Sequence, residues 1–185
     1  GWFLEGINQS KNDFDLKGEG IVDKEFVNEA FILDKFGSQA WKNIYRLDLF
    51  RDIRFPPGIY EDLLCIYKII LKAKRVYCTD KPFYHYLIRE DNISFSTHPL
   101  KSFYIFKAFE DRYNFTENNY TFLNDKIFAK CIGFALQTYN DGLKMPNQLG
   151  EKLNYVIDFI IKNKEFINKS KAISVTKKTL LYLFV

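Results

Sequence analysis

Glycine, proline, histidine and methionine are scarce in this 185-residue chain, at nine, five, two and one. So little glycine and proline excludes collagen-like repeats and flexible linkers. The three cysteines, Cys65, Cys78 and Cys131, form no CxxC pair, so a zinc site lacks its usual ligand spacing. Their odd number and wide spacing fit reduced, buried thiols in a cytosolic protein. Two histidines, His85 and His98, are too few for a histidine-built metal cage or a pair of proton shuttles. Long apolar runs are missing too. The stretch 63–71 is interrupted by Lys68, and 180–185 stops with the chain, well short of the ~20 apolar residues a spanning helix needs. The opening Gly1-Trp2-Phe3-Leu4-Glu5-Gly6 has neither the basic region nor the cleavage site of a secretory signal. Both ends fall inside apolar runs, so the chain is expected to be a piece of a longer protein.

What the sequence has in quantity is aromatic surface. Nineteen phenylalanines and twelve tyrosines, within a hydrophobic content of 47%, exclude a disordered chain and supply a core. The net charge of +4 is unevenly placed. Residues 161–185 hold Lys162, Lys164, Lys169, Lys171, Lys177 and Lys178 against Glu165 alone, a net +5, which leaves residues 1–160 at −1. A basic helical tail that also carries Phe166, Ile167, Ile173, Leu180, Leu181 and Leu183 can be read as a helix lying on an anionic membrane surface, or as a solvated helix face or a helix packed on a part of the protein outside this sequence.

The periodicity predicts strands over 2–7, 75–79 and 83–88, and a helix opening after Asp23 as N-cap and running to Gly37. Ser38 can cap a second short helix through Trp41, Ile44 and Tyr45. Phe55-Pro56-Pro57-Gly58 must be loop. A strong helix is expected over 60–74, with Leu63, Ile66, Tyr67, Ile70 and Ala73 on its buried face and Leu64 and Leu71 widening it. Loops are expected over 8–20 and 92–99. Beyond residue 99 the signal is helical. Phe103, Phe106 and Phe109 mark one helix, and Ile127, Phe128, Cys131, Ile132 and Ala135 a second. Leu153, Val156, Ile157, Ile160 and Ile161 mark a third, after a break at Asn140-Asp141-Gly142 and Met145-Pro146. The expected class is α+β, mainly helical, with a mixed part over 1–98 and a helical part over 99–185.

Glu61-Asp62 is the pair most able to carry chemistry. Adjacent carboxylates after a Pro-Pro-Gly loop suit the positive end of a helix dipole, worth about 0.3–1 kcal/mol. Equally, a carboxylate held at a loop–helix junction by a buried helix can act as a general base. Both readings stand on spacing alone.

The surrounding residues carry a resemblance. Ala40-Trp41-Lys42-Asn43-Ile44-Tyr45-Arg46-Leu47-Asp48-Leu49-Phe50 resembles the Trp-Asn-Lys-Leu-Tyr segment of bacterial family 2 glycosyltransferases. Ile53-Arg54-Phe55-Pro56-Pro57-Gly58-Ile59-Tyr60-Glu61-Asp62 is similar to that family's Arg-Phe-Pro segment running into Tyr-Glu-Asp. Ala73-Lys74-Arg75-Val76, Asp80-Lys81-Pro82-Phe83-Tyr84-His85-Tyr86 and the run from Arg89 to Ser94 follow in the family's order. The resemblance implies the remnant of a GT-A α/β domain, its acceptor-side half, followed by a helical region.

It also implies inverting transfer of a sugar from a nucleotide-sugar donor to a glycan acceptor hydroxyl in surface polysaccharide synthesis. The setting would be cytoplasmic, peripheral at the inner membrane face. Asp62 would be the catalytic base. Glu61 and Trp41 would contact the acceptor, the indole offering a flat face to sugar C–H surfaces. Arg89 and His85 are candidates for the donor diphosphate; Arg89 could equally pair with Glu90 or Asp91, and His85 could be a structural histidine. The divalent metal, Mg or Mn, would be held by the family's amino-terminal half, leaving no metal ligand here. Asp13-Phe14-Asp15 has the letters of a metal motif but sits in a polar stretch with no apolar strand before it. Trp41-Lys42-Asn43 also departs from the family's Trp-Asn-Lys order. With that half missing, the piece alone is expected to be inactive, and its uncovered apolar face could be met by a second copy. The alternative is a non-catalytic helical module binding protein or nucleic acid. Nucleic acid is disfavoured because the body is slightly acidic and the aromatics lie on apolar faces.

Overall fold

The computed structural model describes residues 2–5, 19–79, 81, 83–87, 98 and 100–181, with side chains left undescribed at 2–5, 85–87 and 180. The sequence expectations for loops over 8–18 and 92–97, for Asp13-Phe14-Asp15, for Arg89 and for the full turn at 80–82 lie outside the described residues. The protein is mainly helical with short strands. It divides into two units, Gly1–Ser96 and Thr97–Val185. No helix among the described residues is long and apolar enough to cross a membrane.

In the first unit, β1 (Trp2–Glu5) pairs in parallel with β4 (Tyr84–Leu87), placing Phe3 opposite His85. β2 (Gly20–Val22) pairs antiparallel with β3 (Val76–Cys78). Between them run two helices. In α1 (Lys24–Ile32) the Asp23 carboxylate accepts the Phe26 N–H at 2.8 Å, the expected N-cap bond. The helix does not reach Gly37. It stops at Ile32 because Asp34 turns left-handed, with φ 54°, and Gly37 turns again at φ 71°. The Ser38 hydroxyl, expected to cap the next helix, instead donates to Asp34 at 2.6 Å. That next helix is only a 3-10 turn over Ala40–Lys42, and Ile44 lies outside it, 89% exposed.

α2 (Glu61–Lys72) is two residues shorter at its C-terminal end than expected. Its buried residues are Cys65, Ile66, Tyr67, Ile69 and Ile70, while Leu63, Leu64 and Leu71 are only half-buried. The core-facing stripe is therefore centred on Ile66, Ile69 and Ile70, and Ile69 was missed. It packs with α1, whose Val27, Ala30, Phe31 and Ile32 are buried. Lys24 at the start of α1 donates to the Ile70 carbonyl at 2.7 Å, sharing that acceptor in the last turn of α2 with the Ala73 N–H at 3.0 Å.

The second unit is built on three long helices: α3 (Lys101–Asn119), α4 (Asn124–Lys144) and α5 (Pro146–Lys162). Aromatic rings fix their pairing. Phe109 stacks on Phe134 at 5.0 Å and Tyr113 meets Phe128 at 4.9 Å, so α3 and α4 are antiparallel. Phe106 meets Phe159 edge-on at 5.1 Å. Ile127, Phe128, Cys131, Ile132 and Ala135 are all fully buried, as the spacing predicts. Asn140-Asp141-Gly142 does not break α4; the chain turns at Met145. Gly142 is inside the helix, where Leu153 of α5 packs so close that an added Cβ would lie 3.0 Å from its Cδ1. On α5, Val156 and Ile160 are buried but Ile161 is exposed. Burial also raises the Cys131 thiol well above the ordinary range, so it stays a protonated core group.

The basic tail forms α6 (Lys164–Lys169) and α7 (Val175–Leu181). Three of its apolar residues turn inward, Ile167, Ile173 and Leu181, and Phe166 sits edge-on to Phe128 at 4.6 Å, while Val175 is exposed. The Asp125 carboxylate, in the first turn of α4, holds the following loop. It accepts the Ser170 hydroxyl, the Lys171 N–H at 3.2 Å and the Ala172 N–H at 3.1 Å. Lys178 donates to the Asn168 and Ser170 carbonyls at 2.8 and 2.6 Å. Asp125→Ala should therefore cost about 2 kcal/mol in denaturant unfolding and strip hydrogen-exchange protection from 164–181 first. Unchanged protection there would show that Asp125 does not hold the tail.

Candidate functional site

Tyr60, ahead of α2, adopts a left-handed backbone with φ 59° and makes no side-chain cap bond. For a bulky residue this conformation costs of order 1–2 kcal/mol, so surrounding structure must impose it. The preceding segment is anchored where Cys65 donates its S–H to the Arg54 carbonyl at 3.2 Å. The chain then enters α2 with two carboxylates in its first turn.

Asp62 substitutes for the absent cap. Its Oδ1 accepts the Leu63 N–H at 2.9 Å, while Leu63 N–H also reaches the Tyr60 carbonyl at 3.1 Å. Asp62 is half-buried, and its carboxyl is raised above the usual aspartate range. Burial is the largest cause and the Glu61 charge the second. The Leu63 N–H pulls the other way, and the Asp34 charge adds to the rise. Asp62's own backbone N–H also favours the ionised carboxylate, as the Leu63 N–H does. A half-buried proton acceptor of raised basicity results.

The segment 41–45 stands close by. Burial pushes the Tyr45 phenol up to about 12, the Asn43 hydrogen bond partly opposes this, and the Asp62 charge adds to it. Asn43 Nδ2 donates to Tyr45 Oη at 3.0 Å, so the phenol keeps its own proton for donation. The Lys42 ammonium is pulled down by burial and pushed back up by Asp34. The Trp41 indole is stacked on Tyr84 of β4, with centroids 5.2 Å apart and planes 25° apart. One face of the indole is thus covered by a tyrosine. Lys42 Nζ lies 5.9 Å from the ring centroid.

Of the residues singled out in the sequence, Glu61 and Asp62 share the first turn of α2. Trp41 is in the neighbouring 3-10 turn. The backbone of His85 follows Tyr84 in β4, and its side chain lies outside the described set. Asp34 and Tyr45 were missed. Asp34 was hidden because the helix before it was expected to continue to Gly37. Tyr45 stood inside the family-like segment without an assigned role, and nothing in one-dimensional spacing brings it to Asp62.

No group of three or more His, Cys, Asp or Glu side chains among the described residues could hold a metal ion. The described residues thus offer no ligand set for the divalent metal, which the resemblance places in an amino-terminal half outside this sequence, and no chemical step below runs through one. No family model, curated protein or solved structure matches the chain.

The raised carboxyl has a measurable consequence. The folded chain holds the Asp62 proton more tightly than the unfolded chain does, so ionised Asp62 costs stability at neutral pH. That cost disappears below the unfolded aspartate value of about 3.9 and is complete once pH exceeds the folded value. Asp62→Asn keeps an Oδ1 acceptor for Leu63 and removes the charge. The variant should melt higher than the parent at pH 7, with the difference vanishing below about pH 4. An equal or lower Tm at pH 7 would contradict the burial effect.

Proposed function

We propose that this chain is the acceptor-side part of an inverting glycosyltransferase, with Asp62 as the general base. The observation that carries the reading is the first turn of α2: a half-buried carboxylate, raised by burial and by Glu61, beside the Tyr45 phenol. A base of raised pKa works nearer neutral pH than an ordinary aspartate. The resemblance of 40–62 to bacterial family 2 glycosyltransferases supplies the reaction class, and the strained Tyr60 is the kind of backbone feature found at such sites.

In the proposed step the acceptor hydroxyl oxygen attacks the anomeric carbon of the donor sugar. A C–O bond forms there, the bond to the nucleoside diphosphate breaks on the opposite face, and the hydroxyl proton passes to Asp62. Glu61 raises the basicity of Asp62 and contacts the acceptor. Tyr45 keeps its proton and serves as a hydrogen-bond donor toward the same space. Trp41, braced by Tyr84, offers its remaining surface to a sugar ring. On this reading the nucleotide and its divalent metal are held by a part of the enzyme outside this sequence. Arg89 and His85 remain candidates for the diphosphate, and the acceptor belongs to surface polysaccharide synthesis in the cytoplasm.

The test is kinetic and uses the enzyme that contains this chain. Asp62→Asn should lower kcat about 10²–10⁴-fold with the donor KM little changed. Trp41→Ala should act mainly on the acceptor KM. A normally active Asp62→Asn enzyme would reduce Asp62 to a helix cap and overturn the role.

A further inference from the structure

α1 ends in a turn that suits glycine, and an aspartate occupies it. The Asp34 N–H donates to the Phe31 carbonyl at 3.1 Å and the Lys35 N–H to the Ala30 carbonyl at 2.8 Å. These two bonds close a helix whose next residue turns left-handed, a position that glycine usually fills. Asp34 holds it at φ 54°, where a Cβ makes the conformation costlier than for glycine. What an aspartate adds there is its carboxylate. Among the described residues the other non-glycine with positive φ is Tyr60, directly before α2. Backbone strain of this kind clusters at functional sites.

Three contacts show where the carboxylate acts. Its Oδ1 accepts the buried Ser38 hydroxyl at 2.6 Å, across the second left-handed turn at Gly37. Its charge acts on the half-buried Lys42 ammonium, which shares a 3-10 turn with Trp41. Its charge also reaches Asp62. The packing of the helices explains that reach. Lys24, at the start of α1, is bonded to Ile70 near the end of α2, so with Asp34 near Asp62 the two packed helices run in opposite directions. The spans 24–34 and 62–70 match, at about 12–15 Å for a helical rise of 1.5 Å per residue. Around Asp62 also stand Glu61 on its own helix and the Tyr45 phenol. On the 3-10 turn Leu47–Phe50, which packs on α2 too, Asp48 is paired with Arg46 at 3.0 Å.

We infer that Asp34 is a positioning residue of the α2 site: through Ser38 and Lys42 its carboxylate latches the turn that carries Trp41 to the first turn of α2, and it adds negative charge beside Asp62. It acts through these groups and touches no reacting atom. Its part in the reaction rests on Asp62 acting as the base; its hold on the turn does not.

The experiment is NMR on the full chain. Asp34→Asn keeps an acceptor for Ser38 and a side chain that tolerates the left-handed turn, and removes the charge. Asp34→Gly suits the backbone better and removes both. Each should move the Asp62 carboxyl midpoint down in a carbon-detected titration, since a neighbouring negative charge is gone. The Trp41 indole N–H resonance, identified by its loss in Trp41→Phe, should shift in Asp34→Gly and in Ser38→Ala. An unchanged Asp62 midpoint in Asp34→Asn, or an unmoved Trp41 resonance in Ser38→Ala, would overturn the inference, even if Asp34→Gly failed to fold. In the enzyme that contains this chain, the acid limb of the kcat/KM profile should move to lower pH in Asp34→Asn together with the carboxyl midpoint. A limb that stays put while the midpoint moves would leave Asp34 as the latch and remove Asp62 as the base.

Discussion

The burial of Ile66, Ile69 and Ile70 of α2 alongside Val27, Ala30, Phe31 and Ile32 of α1 is the constraint on which the rest of the first unit depends. It makes α2 a rigid post. The first turn of that post has no side-chain N-cap, and Tyr60 before it is left-handed. The Leu63 N–H is met instead by both the Tyr60 carbonyl and the Asp62 carboxylate. The packing that hides the isoleucines also half-buries Asp62 beside Glu61. One interaction, hydrophobic and non-directional, thereby places a directional proton acceptor and raises its basicity.

The second unit solves a different problem with the same material. Its aromatic residues are spent on interhelical contacts, and the tail is drawn into that packing by Phe166, Ile167, Ile173 and Leu181. Once those side chains are inside, the lysines between them have only the surface. The composition that gave one modest net charge therefore separates into a near-neutral body and a charged end. That division follows from amphipathic spacing and not from any special basic motif.

Much of this was legible along the chain. The Asp23 cap, the Pro-Pro-Gly loop, α2 with its acidic first turn, and the buried stripe of α4 all follow from local rules. So does the mainly helical class. What failed did so where tertiary contact overrides a local signal. Gly142 looks like a helix stop, yet it stays helical because Leu153 packs against its bare backbone. Gly37 looks like the end of α1, yet Asp34 ends it earlier by adopting a conformation few non-glycine residues take. Ser38 looks like a cap, but its hydroxyl is drawn to that displaced aspartate. The candidate site shows the same limit. Asp62, Glu61 and Trp41 could be found by type and position, while Asp34 and Tyr45 reach the site only through turns that spacing does not encode.

The central claim is that the fold around α2 makes Asp62 a stronger proton acceptor than a free aspartate. A carbon-detected NMR titration of the Asp62 side-chain carboxyl in the intact chain measures this directly. The expected midpoint lies above the ordinary aspartate value of about 3.9. A midpoint at or below that value would mean that the Leu63 N–H, and not burial beside Glu61, dominates the site, and the base assignment would lose its physical support.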